Sequence, residues 1–552
     1  MKNTNPESPV PVLVVGAGPV GLSCALLLAR HGIASTVIER GDATHGHPKA
    51  RGVRIRTMEL LRQWGLEPAL RAQSLPQGVA GFIYCDSLCG AEAARSEAME
   101  SVAGPFSPTS SLRVAQDAVQ ETLLAAVRAE PLITLLLHHE LIGVDQDEHS
   151  VTARVAAEEG REHRIRARYA VAADGVGSAT RKLLGLNLVG IPVLGYWHSV
   201  YWSGDLSRWT ADRPCVQYIT GVRHGPVTTV APVDGQRRWV TMVMRPPSTE
   251  PPASLTPEQA RALIRGAVGP ADDQPGAGPD GSAFDDIELL DITTWRLSAQ
   301  VADGWRAGRV FLAGDAAHVF PPTGGFGMNA GIQDVHNLTW KLALVLTGRA
   351  GPGLLDTYEA ERRPVVSGYA DWSVDNSGRI RQIVSAIAAD DKETLATLLD
   401  EQGQHVNAIR MDLGFTYPPP AALAGELESD AGAGEEFRPD AVPGRRAPHA
   451  WIDVAGQRRS TLDLFDTGFV LFVGSQASGW RDTAAALGRG DLVRVASPGD
   501  TFKAEDDEFE RAYRLAPHGA ILVRPDGHVA WRADAPPADP EQLRRVLDGL
   551  LG

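Results

Sequence analysis

The stretch Pro11-Val-Leu-Val-Val-Gly16-Ala-Gly-Pro-Val-Gly21 decides how the rest of the chain is read. Its first five residues are apolar and rich in β-branched side chains, as a strand buried on both faces requires. Glycines then stand at 16, 18 and 21, and residues 22–30 read as a helix. Ala34-Ser-Thr-Val-Ile38 follows as a second strand and ends on Glu39. This is a βαβ unit with a dinucleotide-binding turn. Gly16 permits the tight turn, Gly18 lets a pyrophosphate approach the backbone, and Gly21 lets the helix pack closely on the strand. Pro19 in the turn is a cofactor-binding candidate, and the N-terminal N–H groups of the helix that follows carry partial positive charge suited to phosphates. Glu39 is placed to accept hydrogen bonds from a ribose, and Arg40 beside it is a further cofactor-binding candidate.

That turn alone does not separate FAD from NAD; two later segments do. Tyr169-Ala-Val-Ala-Ala-Asp-Gly-Val-Gly-Ser178 is another strand running into a turn, with Asp174-Gly175 at its end and Arg181 beyond. Gly308-Arg-Val-Phe-Leu-Ala-Gly-Asp315 repeats the architecture and ends in Gly314-Asp315. A carboxylate at a strand end among small residues can hold polyol hydroxyls, so Asp315 suits the ribityl chain of a flavin. Pro321-Pro322, Gly324-Gly325, Gly327, Met328 and Asn329 follow, then a helix through about Leu346. Such a turn offers backbone N–H groups that stabilise negative charge on a reduced flavin. A plain dehydrogenase has no use for this distant second site.

In this order the three motifs resemble the FAD-dependent aromatic hydroxylases related to para-hydroxybenzoate hydroxylase, phenol hydroxylase and the polyketide hydroxylases. The resemblance spans most of residues 8–370. It implies that the first turn binds the ADP half of FAD, that Asp174-Gly175 serves both FAD and NAD(P)H, and that Gly314-Asp315 holds the ribityl. His47-Pro-Lys-Ala-Arg51 resembles the family's basic segment, which places Lys49 and Arg51 near the pyrophosphate or the flavin. Lys49 stands where relatives often carry arginine. Arg113-Val-Ala-Gln116 resembles the family's glutamine-containing flavin contact. Pro321 and Gly324 are implied at the oxygen-reacting edge of the flavin, with Pro322, Gly325, Gly327, Met328 and Asn329 as cofactor contacts.

The activity so implied is that of a monooxygenase. NADPH or NADH reduces the flavin transiently, and O2 gives a flavin hydroperoxide that hydroxylates a phenolic or polycyclic, polyketide-like aromatic. A Baeyer–Villiger or epoxidising enzyme is the nearest alternative, and a non-catalytic flavin-binding module is the rival of another class. No residue stands out as a general base. His318, just after Gly314-Asp315, reads as packed against the turn rather than reactive.

The fold expectation is α/β: a Rossmann-like FAD-binding domain with an inserted antiparallel-sheet substrate domain and a C-terminal thioredoxin-like domain. The flavin domain takes residues 1–186 and 286–385. Residues 187–285 form the inserted sheet, from period-2 stretches such as Tyr196-Trp-His-Ser-Val-Tyr-Trp202. Its candidate substrate contacts are Tyr201, Trp202, Gln217 and His224, and residues 246–285 read as a loop or weak helix. Residues 386–448 are a helical segment and linker. Residues 449–552 resemble the thioredoxin-like domain that closes phenol and polyketide hydroxylases, here without redox cysteines.

Composition narrows the rest. The 552 residues carry a net charge of −15, with 43% hydrophobic and 22% charged residues. An acidic chain without a Lys/Arg cluster is not built for nucleic acid. The apolar run 10–29 is broken by glycines and proline, so neither a signal peptide nor a membrane span is expected. Four dispersed cysteines, Cys24, Cys85, Cys89 and Cys215, make no disulfide framework or metal site and fit a reducing cytoplasm. The expected partners are therefore an aromatic small molecule, O2 and NAD(P)H, and the assembly considered is at most a homodimer.

Overall fold

In the computed structural model, Val12, Leu13 and Val14 are buried on both sides, because the strand Val10–Val15 runs at the centre of a parallel sheet. Its neighbours are Ser35–Glu39 on one side and Glu162–Ala172 on the other, both parallel to it. Val310–Leu312 extends the sheet beyond Glu162–Ala172, and Ile133–Leu137 extends it beyond Ser35–Glu39. The antiparallel pair Glu140–Gln146 and Val151–Ala156 attaches at Glu162–Ala172. The structure describes residues 9–552 except 45, 77–78, 97–103, 158–159, 249, 270–285, 407, 419–436 and 438.

This strand order brings three strand ends together. Residues 15, 172 and 312 finish neighbouring parallel strands, so the turns that follow them all open on one edge. The helices Pro19–Arg30 and Gly327–Leu346 leave that edge side by side.

A second sheet of eight strands stands over it. Its order is His318–Val319, Glu288–Ala302, Leu188–Ser203, Arg238–Arg245, Thr228–Pro232, Cys215–Thr220, Ala80–Cys85 and Glu92–Arg95. It is antiparallel except where Cys215–Thr220 meets Ala80–Cys85. The sheet reaches further than the alternating stretch suggested. Two of its strands come from residues 80–95 and its longest partner strand runs to Ala302, because the chain leaves the first sheet twice. Within 246–285, where a loop or weak helix was expected, Thr256 and Gln259 form a reciprocal capping box for a regular helix, Pro257–Val268. Residues 270–285 of that stretch lie outside the described residues.

Period two divides the aromatics between the faces. Trp202, Val200 and Trp239 pack with Ile264 of that helix, on the side away from the flavin domain. Tyr201 and Val240 face the other way and pack on Ala115 of the flavin domain. Trp202 is fully buried and its indole N–H donates to Thr241 Oγ1 at 2.9 Å. Trp202→Ala is therefore expected to cost about 3–5 kcal/mol, read as a lowered urea midpoint with the FAD content of the folded fraction unchanged.

The helix Thr357–Ala388 runs along both sheets, and Lys392–Val406 turns back against it. The C-terminal unit is built on a four-stranded mixed sheet in the order Val493–Ala496, Phe469–Val473, Ala520–Val523, Val529–Ala533. Helices Ser478–Ala486 and Gln542–Leu551 pack on one face, and Phe502, Phe509 and Tyr513 pack on the other. This is the thioredoxin-like arrangement. All four cysteines are unpaired and lie in other parts of the chain. No helix among the described residues is long and apolar enough to cross a membrane.

Candidate active site

At the first turn, Gly16 adopts φ +102°, and a Cβ there would meet the Ala173 carbonyl oxygen at 2.4 Å. Only glycine lets the turn sit against the Asp174 strand end. A Cβ on Gly21 would lie 1.9 Å from the Gly16 oxygen, so helix and turn touch at that point. Gly18 is different: a Cβ would meet no protein atom within 4 Å. It would instead fill the space above the helix N-terminus, where a pyrophosphate approaches. Gly18→Val is thus expected to leave the melting temperature of the apoprotein nearly unchanged and abolish flavin binding, measured by absorbance of the purified protein.

Glu39 accepts the Ala17 N–H at 2.8 Å and the Gly41 N–H at 2.9 Å through its two carboxylate oxygens. It fixes the turn and remains partly exposed, with lone pairs for ribose hydroxyls. Arg40 beside it is exposed. Gln120, which the sequence did not mark, completes the cradle by donating to the Ala17 and Ala43 carbonyls.

Asp174 accepts from Ser178 Oγ at 2.6 Å and from the backbone and hydroxyl of Thr180, which fixes the turn at Gly175. Arg181 then donates to the Ala316 carbonyl at 2.9 Å and ties this turn to the Gly314-Asp315 turn. The third turn locks to the first, because Val20 sits against both Gly314 and Gly331. Three motifs that are distant in sequence thus share one cleft.

Asp315 is exposed to that cleft, and its carboxylate has no hydrogen-bond partner among the described residues. The surrounding protein nonetheless desolvates it, which pushes its carboxyl up, while His318 and Lys49 pull it back. An open, unpartnered carboxylate on a cleft floor fits the hydroxyls of a ribityl chain. His318 is wholly buried between the rings of Trp305 and Phe320, with Nε2 2.7 Å from Asp334. Asp334 also accepts from the Gly314 N–H at 3.1 Å and from Arg362 Nε at 2.9 Å. His318 therefore braces the turn, as its position in the sequence suggested.

The glycine-rich turn is held by a residue the sequence had not singled out. Arg54 donates to the Gly324 carbonyl at 2.6 Å, pairs with Asp412 at 2.6 Å, and lies 4.4 Å from the centre of the Phe326 ring. Asn329 accepts the Arg54 N–H and donates to the Gly325 and Gly52 carbonyls. Asn329 is therefore a turn-fixing residue first. Pro321 is buried, Pro322 and Gly325 are exposed, and Gly327 and Met328 lie half-buried at the start of the 20-residue helix Gly327–Leu346.

The basic segment crosses to the second sheet. Gln116 locks it by a reciprocal pair with Ala50, accepting the N–H at 3.1 Å and donating its own at 2.9 Å. Lys49 is exposed, and its charge reaches Asp315. Arg51 points away from the phosphate turn: it donates to Gln217 Oε1 at 2.8 Å, and burial pushes its guanidinium down to about 10. Of the two places expected for Arg51, by the pyrophosphate or by the flavin, this contact with Gln217 directs its side chain to the second sheet. Arg113 Nη1 is buried without a hydrogen-bond partner, and burial lowers that guanidinium to about 10 as well. An orphaned buried cation beside the cleft fits an oxygen-rich ligand.

Of the four substrate candidates, Tyr201 lies on the face toward the flavin domain, with its ring centre 5.9 Å from that of His47 in an edge-on arrangement and its hydroxyl 3.2 Å from Arg238. Trp202 does not, because the pleat sends it to the opposite face. His224 is exposed in the turn between Cys215–Thr220 and Thr228–Pro232. No cluster of metal-ligating side chains occurs among the described residues.

The profile of the FAD binding domain family matches residues 9–373, and that of the aromatic-ring hydroxylase C-terminal domain matches residues 440–552. The 4-methyl-5-nitrocatechol 5-monooxygenase of a Burkholderia species is 36% identical over 99% of this chain and 98% of its own. The flavin-dependent monooxygenase PieE, solved with FAD and substrate, superposes with a TM-score of 0.88 at 30% identity, covering 99% of both chains. Aklavinone-11 hydroxylase, solved with FAD and aklavinone, gives 0.83 at 33% identity over the whole of both chains. The chain belongs to the FAD-dependent aromatic-ring hydroxylase family and is a flavin-dependent monooxygenase.

Proposed function

We propose that this enzyme hydroxylates a phenolic or polycyclic aromatic compound, with NADH or NADPH as electron donor and O2 as oxygen source. The observation that carries the reading is the face of the second sheet that is turned toward the flavin domain. Tyr201, Val240 and Met242 turn an apolar face toward the flavin domain, while Gln217, Arg51 and Arg113 supply polar groups along it. An apolar wall with a few placed polar groups suits a flat aromatic ligand bearing oxygen substituents. The relatives named above act on a nitrocatechol and bind aklavinone, which are ligands of that kind.

FAD, when bound, supplies the electron transfer to O2 and the insertion of one oxygen atom into the ring. The chain's own residues hold and enclose it. Gly16, Gly18 and the N-terminus of Pro19–Arg30 receive the pyrophosphate, Glu39 the ribose, and Asp315 the ribityl. Pro321 and Gly324 shape a turn ahead of the helix Gly327–Leu346, whose N-terminal dipole would stabilise negative charge on a reduced flavin held there. The second sheet stands over the first and would limit the access of water to a bound flavin.

The test is a screen of phenols and polycyclic quinones for stimulated NAD(P)H consumption by the FAD-loaded protein, with products identified by mass. A product heavier than its substrate by one oxygen atom is expected. Consumption that no aromatic compound stimulates would count against the reading.

A further inference from the structure

His47 sits where the flavin domain meets the second sheet, and both of its ring nitrogens are engaged there. Nδ1 lies 2.8 Å from Asp291 Oδ2 and Nε2 lies 2.8 Å from Ser199 Oγ. Ser199 and Asp291 belong to the adjacent strands Leu188–Ser203 and Glu288–Ala302, on the face that carries Tyr201; Asp291 is the register partner of Tyr201. The chain of three groups runs from closed to open. Ser199 is 1% exposed, the His47 side chain 11%, and the Asp291 side chain 38%. Asp291 Oδ1 has no hydrogen-bond partner among the described residues.

A surface carboxylate has no need of a buried imidazole behind it, and an interdomain fastener has no need of a free oxygen in front. We propose that Asp291 is the catalytic base that takes the proton from a hydroxyl of the aromatic substrate, with His47 as the positioning residue that holds its carboxylate and Ser199 as the anchor of the His47 ring. This deepens the proposed function and rests on it. In the step, the substrate O–H bond breaks heterolytically and its electron pair moves toward the ring, making the ring carbons richer in electrons for oxygen insertion. The proton goes to the free Oδ1 of Asp291, giving the neutral acid, while Oδ2 keeps accepting from His47 Nδ1–H. Ser199 O–H donates to His47 Nε2 and fixes that tautomer. No oxidant or reductant enters the step.

The charges around His47 agree with this. Burial lowers its pKa, hydrogen bonding and attraction to Asp291 raise it, and Lys49 lowers it. The net effect is downward, so the ring stays neutral and serves to hold the Asp291 carboxylate. Tyr201 meets its ring at an edge, and Arg238, bonded to the Tyr201 hydroxyl, is held by Asp234 and Asp117.

The experiment compares Asp291→Asn and His47→Gln with the wild-type holoenzyme on two probes, phenol and 4-nitrophenol, at neutral pH. Hydroxylated product is measured alongside NADPH consumed, with FAD content as the folding control. Phenol stays protonated under these conditions, whereas 4-nitrophenol is substantially ionised without help. Asp291→Asn is expected to lower product formation from phenol by about 100-fold, and the mutant-to-wild-type ratio should recover most of the way with 4-nitrophenol. His47→Gln should show the same pattern more weakly. Equal losses on the two probes, or no loss on phenol, would overturn the assignment and leave the functional reading standing. A wild-type holoenzyme stimulated by neither phenol overturns the assignment of a base for simple phenols, and the functional reading is then decided by the wider screen of aromatics.

Discussion

Asp315→Ala is expected to yield a folded protein that purifies without its yellow flavin. The Asp315 carboxylate opens into the cleft and has no hydrogen-bond partner among the described residues, so its removal orphans no internal group. The backbone around it is held independently: Asp334 secures Gly314 and His318, and Arg181 secures Ala316. What the substitution removes is the acceptor for the ribityl hydroxyls. A hydrogen bond to a charged group is worth about 1.5–3 kcal/mol, so two such bonds lost together weaken FAD by roughly 100-fold or more. Asp315→Asn keeps the shape and one acceptor and should fall between the two. Flavin absorbance per mole of protein, with circular dichroism as the folding control, measures both variants. Stoichiometric flavin in Asp315→Ala would show that the ribityl lies elsewhere.

The second large effect is expected far from the cleft. Removing Arg524 should destabilise the whole molecule by about 3–5 kcal/mol, because it leaves Glu361 and Asp526 buried without their main counter-charge. Arg524 lies in the hairpin of the C-terminal unit and grips Glu361 of the helix Thr357–Ala388 through both carboxylate oxygens, at 2.7 and 2.8 Å. Lys341 of the helix Gly327–Leu346 reaches the same carboxylate at 2.8 Å, and Asn337 donates to it. The Asp526 carbonyl accepts from Arg56 at 2.8 Å, and Arg56 pairs with Glu59, which also binds Arg446. One hairpin turn thus anchors the helices that follow the basic segment and the glycine-rich turn.

That network also predicts a pH dependence. Burial by itself would raise the Glu361 carboxyl, but Arg524 and Lys341 outweigh it and hold the group down to about 2. A carboxyl depressed in the folded state contributes stability that is present in full above its unfolded pKa, near 4.3. The contribution is lost as pH falls from there toward 2. Urea titrations at pH 7, 4 and 3 should therefore show a falling midpoint, and Glu361→Gln should start lower and decline less steeply. An unchanged slope in that variant would place the acid sensitivity in other carboxylates.

Much of the site was legible because backbone geometry dictated residue type. Gly16 and Gly21 had to lack a Cβ, and the acidic residues at positions 39, 174 and 315 had to close strands, so spacing alone exposed all three turns. The first helix begins at Pro19, three residues before the apolar run that marked it in sequence. Spacing could not assign faces in the second sheet. Period two distinguishes Tyr201 from Trp202 but does not say which of them looks at the flavin domain; the helix Pro257–Val268 settles that by covering Trp202. Nor could it pair residues remote in sequence. Arg51 with Gln217, Arg54 with Gly324 and Asp412, and His47 with Asp291 are partnerships made by the docking of one sheet on the other. Glu361, Lys341 and Arg524 lie far apart in sequence, and only the hairpin that covers them makes them a buried network.

The central claim, a flavin cleft that inserts one atom of O2 into an aromatic ring, is tested most directly by isotope. The FAD-loaded enzyme turns over under 18O2 with NAD(P)H and a phenolic or polycyclic substrate that stimulates consumption, and the product is analysed by mass. The account predicts one 18O atom in each product molecule, and none when the label is supplied as H218O. Unlabelled product, or hydrogen peroxide as the sole fate of the oxygen with every aromatic tried, would contradict it.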